Sequence, residues 1–360
     1  MKLNDDIFVN IWDYKDDNYP FQIFIGGRGK GKTFSGLNGD PEKGGLQRAL
    51  VDPNYKFMYA RRTQEESEMC QCSKGEEGTN PFKQVNLKKG TNVGFFKINK
   101  KMSGIYEMDK SQEGKILPVG RQLGYGCGIS TIGSMRSIDL TDVNDTICDE
   151  FIAEAHVRAI KNEGDMFLNA YESINRNREM EGQPPMNMYF ISNSTNIYNP
   201  LFVVLGIVNI CERMMAKGQE HFYDKSRGLA IHIFASSGQY EAFKRNSAIG
   251  RLTRGTRFYE SAVDNKFAYN DFSLIGHRNL KGYVPICSIK NEVYIWKKKG
   301  SEEYYCTYAR GQCPNYNVES EQDRRAFVQQ IGFAMETIFT SSAILFETYD
   351  IKQQILDLIL

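Results

Sequence analysis

Apolar residues along the chain fall into short continuous runs bounded by glycine, proline and charged clusters, the pattern of buried strands separated by helices. Residues 21–25 (FQIFI) predict a first strand that runs into a Gly-rich turn. Residues 57–60 (FMYA) predict a second, ending at Arg61–Arg62, and residues 146–148 (TIC) a third that leads directly into Asp149–Glu150. A fourth is expected over 187–191 (NMYFI), ending at Ser192–Asn193, and a fifth over 229–234 (LAIHIF), leaving through Ser236–Ser237–Gly238. Between the third and fourth, Phe167, Ala170, Tyr171 and Ile174 recur at i, i+3, i+4, i+7, the spacing of one helical face. That helix must stop before Gly182 and Pro184–Pro185. Strands alternating with helical segments predict an α/β sheet. Residues 70–125, rich in Gly, Lys and polar side chains, read as an exposed hairpin region with no assignable role.

Beyond residue 238 the pattern changes. A basic, loosely patterned stretch (Lys244, Arg245, Arg251, Arg254, Arg257) leads to two strand-like segments, Tyr283–Ile289 and Val293–Trp296, joined at Lys290–Asn291 as a hairpin. Phe327, Ile331, Ala334 and Ile338 then repeat at helix spacing and are expected to close the chain as a long helix. The expected organisation is a P-loop domain over 1–237, a linker over 238–268 and a smaller α+β domain over 269–360.

Composition narrows the class only slightly. With 360 residues, 41% hydrophobic and 25% charged, the chain has the make-up of a globular protein. Its 45 basic and 44 acidic residues leave a net charge of +1, which argues against a uniformly basic DNA-coating protein but allows one basic face. The eight cysteines form no CxxC pair, and the closest spacing, Cys70 and Cys72, has no zinc-ligand partner at a suitable distance. The beginning of the chain carries no apolar signal segment, and the longest apolar run, Leu201–Cys211, is shorter than the roughly 20 residues a bilayer span needs. The expectation is a soluble, intracellular protein with no membrane contact.

Chemistry enters at the end of the first predicted strand. Gly26-Gly27-Arg28-Gly29-Lys30-Gly31-Lys32-Thr33 matches GxxxxGK[ST] in full, in the strand-then-helix context the motif requires. Glycines let backbone N–H groups turn inward on phosphate oxygens; Lys32 supplies a cation for the β- and γ-phosphates and Thr33 a hydroxyl for Mg²⁺. ATP and Mg²⁺ are therefore the expected substrate and cofactor. Asp149, at a strand end, is expected to hold the Mg²⁺ shell, and Glu150 to orient and deprotonate the attacking water. Asp142 and Asp145 precede that point and rank lower. Asn193 is the candidate γ-phosphate sensor after the next strand. Arg176, in Arg176–Asn177–Arg178 at a helix end, is the candidate finger that stabilises transition-state charge in a neighbouring subunit's site, with Arg136 a weaker candidate. Lys97, Lys100, Lys101 and Lys297–Lys298–Lys299 are basic clusters able to track phosphates, although such runs are commonly solvated faces.

A GTPase would need Asn-Lys-x-Asp; Asn99-Lys100-Lys101-Met102 and Asn265-Lys266-Phe267-Ala268 both lack the Asp. A small-molecule kinase gains nothing from a Glu that activates water. The Asp–Glu pair favours hydrolysis coupled to motion, with an ATP-dependent assembly switch or an ATPase–nuclease acting on DNA as the alternatives.

The chain resembles the genome-packaging motor ATPases of small short-tailed bacteriophages with protein-primed linear double-stranded DNA. The resemblance rests on residues 24–33, Tyr59-Ala60-Arg61-Arg62, residues 147–152, residues 175–179, Ile191-Ser192-Asn193, Asn199–Pro200, Gly250-Arg251-Leu252 and residues 264–267. It implies an ASCE, RecA-like P-loop ATPase domain and a C-terminal domain resembling an RNase H-like nuclease that has lost its activity. Asp264, Asp271, Glu292 and Glu319 form no persuasive two-metal set, in line with that loss. It further implies a homo-oligomeric ring of five subunits at the portal of an empty capsid in the host cytoplasm, with double-stranded DNA passing through the pore. It places Arg176 at the family's finger position. Some relatives use a structural RNA scaffold. The segment 70–125 departs most from the family pattern.

Overall fold

The computed structural model describes residues 8–72, 78–112, 115–133, 138–153, 160–193, 196–234, 238–256, 259, 272–340 and 343–359. The chain divides into two compact units, residues 1–205 with 214–269, and residues 206–213 with 270–360.

The first unit is built on a nine-stranded sheet. Its strands are β1 (Phe21–Gly26), β2 (Lys56–Arg61), β3 (Val93–Lys97), β4 (Met102–Gln112), β5 (Lys115–Gly128), β6 (Val143–Asp149), β7 (Asn187–Ser192), β8 (His221–Asp224) and β9 (Leu229–Phe234). They lie in the order β3-β4-β5-β2-β6-β7-β1-β9-β8. The six from β5 to β9 are mutually parallel, and β3, β4 and β8 add antiparallel edges, so the sheet is mixed. All five strands expected from the apolar runs are here, as β1, β2, β6, β7 and β9. Their continuous burial explains the runs, since a central parallel strand is covered on both faces. The expected amphipathic helix spans Glu163–Asn175 and buries Phe167, Ala170 and Ile174.

The segment 70–125 is a structural part of this sheet. Its three strands extend it, with β5 pairing in parallel with β2. The glycines that suggest a loop have a packing reason. A Cβ on Gly124 would stand 2.3 Å from the Phe57 carbonyl oxygen, and one on Gly126 would stand 2.7 Å from the Phe95 ring. Only glycine permits those approaches.

Because the central strands are parallel, their C-terminal ends share one edge. That edge carries Gly26, Arg61, Asp149 and Ser192 side by side. The helix α1 (Lys32–Asn38) starts there and packs with the 3-10 turn Ile11–Tyr14, where the Trp12 indole donates to the Ser35 carbonyl at 2.8 Å. The core behind it holds Phe24, Ile147, Tyr189 and Ile191.

The second unit has a five-stranded sheet of β10 (Tyr283–Ile289), β11 (Val293–Lys298), β12 (Tyr304–Thr307), β13 (Asn315–Tyr316) and β14 (Ile344–Phe346), ordered β13-β10-β11-β12-β14. The expected hairpin is present: β10 and β11 are antiparallel, and Lys290 and Asn291 both have positive φ (54° and 56°), as a two-residue type I′ turn requires. The long C-terminal helical pattern is interrupted, running as Glu321–Phe327, a π turn over Val328–Gly332, and Phe333–Thr340. It does not close the chain, because β14 and a further helix, Tyr349–Ile359, follow and bury Phe346, Ile351 and Ile355 in the same core.

Candidate active site

The Gly-rich segment leaves β1 and turns into α1 through two left-handed residues, Gly29 (φ 85°) and Gly31 (φ 82°), a conformation that costs a residue with a Cβ about 1–2 kcal/mol. Lys32 lies 5% exposed, with its ammonium donating to the carbonyls of Gly26 (2.6 Å) and Gly27 (3.1 Å). Burial pulls its pKa down to about 8; Asp149 opposes that shift, Lys30 adds to it and Glu150 opposes it. A buried cation anchored on loop carbonyls has strong reason to take an anionic oxygen instead. Thr33 is exposed at the start of α1.

Across 116 positions of sequence, the Thr33 hydroxyl donates to Asp149 Oδ1 at 3.0 Å. The β6 strand delivers Asp149 to the sheet edge with 2% exposure. Its other oxygen accepts from the Tyr59 hydroxyl at 2.8 Å and from Arg61 at 3.4 Å. Burial pushes the Asp149 carboxyl above its usual range, and Arg61, Tyr59 and Thr33 pull against that. Glu150 has φ 53°, so the chain turns off the strand axis and leaves its side chain 48% exposed. Such a left-handed non-glycine residue at a strand tip stores strain of a kind concentrated at functional sites. Its carboxylate accepts from Arg61 at 2.6 Å. Arg61 thus bridges both acidic residues and lies 3.7 Å from Glu66.

The residue types fit a nucleoside triphosphate with Mg²⁺: a glycine-rich loop with two left-handed residues, a desolvated ammonium, and a hydroxyl and carboxylate oxygen adjoining each other as hard ligands. Asn193 is the residue after β7, and β7 lies between β1 and β6, pairing Ile25 with Ser192 and Asp149 with Ile191. It therefore stands on the same edge, between the Gly-rich turn and the acidic pair.

The sequence model for a family described as Podovirus DNA encapsidation protein (Gp16) matches residues 5–305. The chain belongs to this family. Among its relatives are DNA packaging proteins of Bacillus phage phi29, 27% identical over 149 residues (41% of each chain), and of Bacillus phage PZA, 26% identical over 161 residues (44% of each). That of Bacillus phage B103 is 28% identical over 171 residues, 47% of this chain and 49% of the relative. The matched stretch spans less than half the length of these curated relatives. Two solved structures share the fold along nearly the whole length. One is from the bacteriophage Phi-29 viral genome packaging motor assembly (TM-score 0.64, 19% identity, 98% of each chain). The other is from the Phi-28 gp11 DNA packaging motor (TM-score 0.59, 19% identity, 99% of this chain and 98% of that one).

In this member of the encapsidation family the remaining sequence candidates fall elsewhere. Arg176 follows the helix Glu163–Asn175 with φ 48°, and its guanidinium donates to the carbonyls of Ile138 and of Ser173 (3.4 Å). Arg178 is buried and donates to the Val143 carbonyl, an anchoring contact within the fold. Asp145 is fully buried, accepting from the hydroxyl of Tyr55 and the amide of Asn187 (2.9 Å), and Asp142 accepts from Lys56 and Tyr125. Lys97, Lys100 and Lys101 are exposed around the β3–β4 turn; Lys297 and Lys298 are ion-paired with Glu302 and Glu303. Arg136, Arg257, Asp264 and Asp271 lie outside the described residues. Glu319 pairs with Lys290, and among the described residues no group of three or more His, Cys, Asp or Glu is arranged to hold a metal.

Two contributors escape a motif reading. Tyr59 and Arg61 stand at alternate positions of β2 and both reach Asp149. The signal was the Arg61–Arg62 pair at a strand end; alternation sends Arg61 to the site and Arg62 to the opposite face, where it pairs with buried Glu163.

Proposed function

We propose that the chain is an ATP-driven double-stranded DNA translocase that packages a viral genome into a preformed capsid. It would work as a homo-oligomeric ring, five subunits by the family resemblance, at the portal vertex in the host cytoplasm. Family membership and whole-length likeness to packaging-motor structures support the biological setting. The observation that carries the chemistry is the Thr33–Asp149 contact beside a desolvated Lys32, which joins a phosphate loop to an acidic strand end. The strand β7 between β1 and β6 supports the ASCE class within P-loop folds. In the second unit, the β10–β11–β12 meander with β13 parallel to β10 supports an RNase H-like ancestry, and β14 beside β12 is a departure from it.

In hydrolysis, the loop N–H groups and Lys32 bind the triphosphate and neutralise charge gathering on the β–γ bridge. Thr33 and Asp149 would hold Mg²⁺, which when bound supplies further neutralisation of the phosphate oxygens. Glu150 accepts the proton of the attacking water as its oxygen adds to the γ-phosphorus and the bond to ADP breaks, giving ADP and phosphate. Arg61 holds Glu150 in the described arrangement and must yield it for that role. Asn193 orients the water or reports on the γ-phosphate. Arg176 would leave its carbonyl contacts to serve a neighbouring subunit.

The test is steady-state ATP hydrolysis by purified protein, with and without linear double-stranded DNA at low salt, then with capsids added. Stimulation by DNA, alone or at the portal, is expected. Hydrolysis indifferent to DNA in both settings would overturn the translocase reading and leave an assembly switch.

A further inference from the structure

A cavity of about 750 Å³ opens beside the phosphate loop. Its walls come from the residues just before the 3-10 turn, from α1, and from the helix Lys83–Lys89. Its volume lies in the range of sites that enclose small ligands, about 300–1,000 Å³. Gly31 belongs both to its lining and to the phosphate loop, so the cavity continues from the place where phosphates are expected. Phe8 and Phe34 contribute two aromatic rings, and Phe8 sits directly against Gly31. Phe34 follows Thr33, is only partly buried, and carries the Lys88 ammonium over its ring at 4.8 Å. On the helix opposite, Gln84 and Lys88 are exposed one turn apart and both face the cavity.

We propose that this cavity holds the adenosine half of the nucleotide, with the base stacked on Phe34 and Phe8 and its amino edge read by Gln84. The inference rests on the phosphate-binding reading of Gly26–Thr33 and extends it to base recognition. A partly exposed aromatic ring next to the loop offers a face for a base, since every base has a π-face. Selectivity needs a polar reader. A carboxamide presents one donor and one acceptor, which matches the amino group and ring nitrogen of adenine and mismatches the two acceptors that guanine shows at the same edge. Lys88, displaced from the Phe34 ring by the base, stays within reach of ribose oxygens.

The test is titration calorimetry of the full chain with Mg²⁺ and three ligands: ATP, GTP and inorganic tripolyphosphate. The expected result is that ATP binds at least tenfold more tightly than tripolyphosphate and more tightly than GTP. Phe34→Ala should lower ATP affinity about tenfold while tripolyphosphate affinity stays within twofold. Gln84→Ala, on an exposed helix face, should narrow the ATP-to-GTP ratio toward one. Equal wild-type affinity for ATP and tripolyphosphate would overturn the proposal, as would a Gln84→Ala variant with the wild-type ATP-to-GTP ratio. Binding of none of the three ligands would overturn the phosphate-loop reading and this proposal with it. Retained tripolyphosphate binding without base discrimination would overturn this proposal alone.

Discussion

At the scale of single residues, the group proposed to bind nucleotide and the group proposed to activate water sit in different surroundings. Lys32 donates to the loop carbonyls of Gly26 and Gly27 and is enclosed by protein, so Lys32→Ala is expected to abolish ATP binding in an equilibrium titration. Glu150 is half-exposed and held by Arg61, so Glu150→Gln is expected to bind ATP normally. Its turnover should fall by about 10²–10⁴, the usual cost of losing a general base. A Glu150→Gln variant with wild-type turnover would move the water-activating role to another residue. Away from the site, His232 stacks on Phe24 and shares a 3.1 Å Nδ1–Nδ1 hydrogen bond with His221. Burial, reinforced by His221, depresses the His232 pKa to about 3. A depressed folded-state value means that the unfolded chain takes up the proton first, so stability is full above pH 6.5 and falls as pH drops toward 3. Between pH 6.5 and 5 the loss is about 2 kcal/mol. His232→Phe should flatten that slope relative to wild type in denaturant titrations at pH 7 and pH 5.

At the scale of elements, one ion pair ties strand to helix. Arg62 at the exit of β2 forks onto Glu163 at the first turn of Glu163–Asn175, with both side chains at most 3% exposed. Removing one partner strands a buried charge, so Glu163→Ala is expected to cost about 3–5 kcal/mol by chemical denaturation. Replacing both with apolar residues of similar volume (Arg62→Met with Glu163→Leu) should recover more than half of that loss. Failure to recover would mean that the pair's geometry, and not its charge balance, holds the elements together. Asp145 does comparable work at the other end of β6, gathering Tyr55 and Asn187, which is why an acidic residue so near the motif serves the fold.

For the whole molecule, the open question is what Arg176 does in an assembly. Within one chain it caps its own helix end and reaches the Ile138 carbonyl. If it completes a neighbour's site, mixing Arg176→Ala subunits with Lys32→Ala subunits, each inactive alone, should restore ATP hydrolysis, because each supplies what the other lacks. No restoration in mixed assemblies would confine Arg176 to its own subunit. By residue membership the chain passes to the second unit at 206, returns to the first at 214 and enters the second again at 270.

The sequence by itself determined what depends on local chemistry and period. Continuous apolar runs located β1, β2, β6, β7 and β9, because a strand buried on both faces favours apolar residues at successive positions. The Gly-rich turn after β1 was legible because glycine, lysine and threonine stand there at the fixed spacing of a recognisable motif, each with a separate chemical reason. The Asp–Glu pair was legible because an acidic step directly after a buried strand marks an exposed sheet end. Tertiary structure alone decided the rest. Gly124 of β5 looked like a loop residue because the backbone it must approach, at Phe57, is 67 positions away. Tyr59 and Arg61 joined the site only when β2 paired beside β6, a register no local pattern encodes. The cavity beside α1 likewise needed the segment before the first turn and the helix Lys83–Lys89 to meet the phosphate loop from distant stretches of chain. Local propensity fixes where a strand or turn can form, and long-range packing fixes which side chains then share one volume.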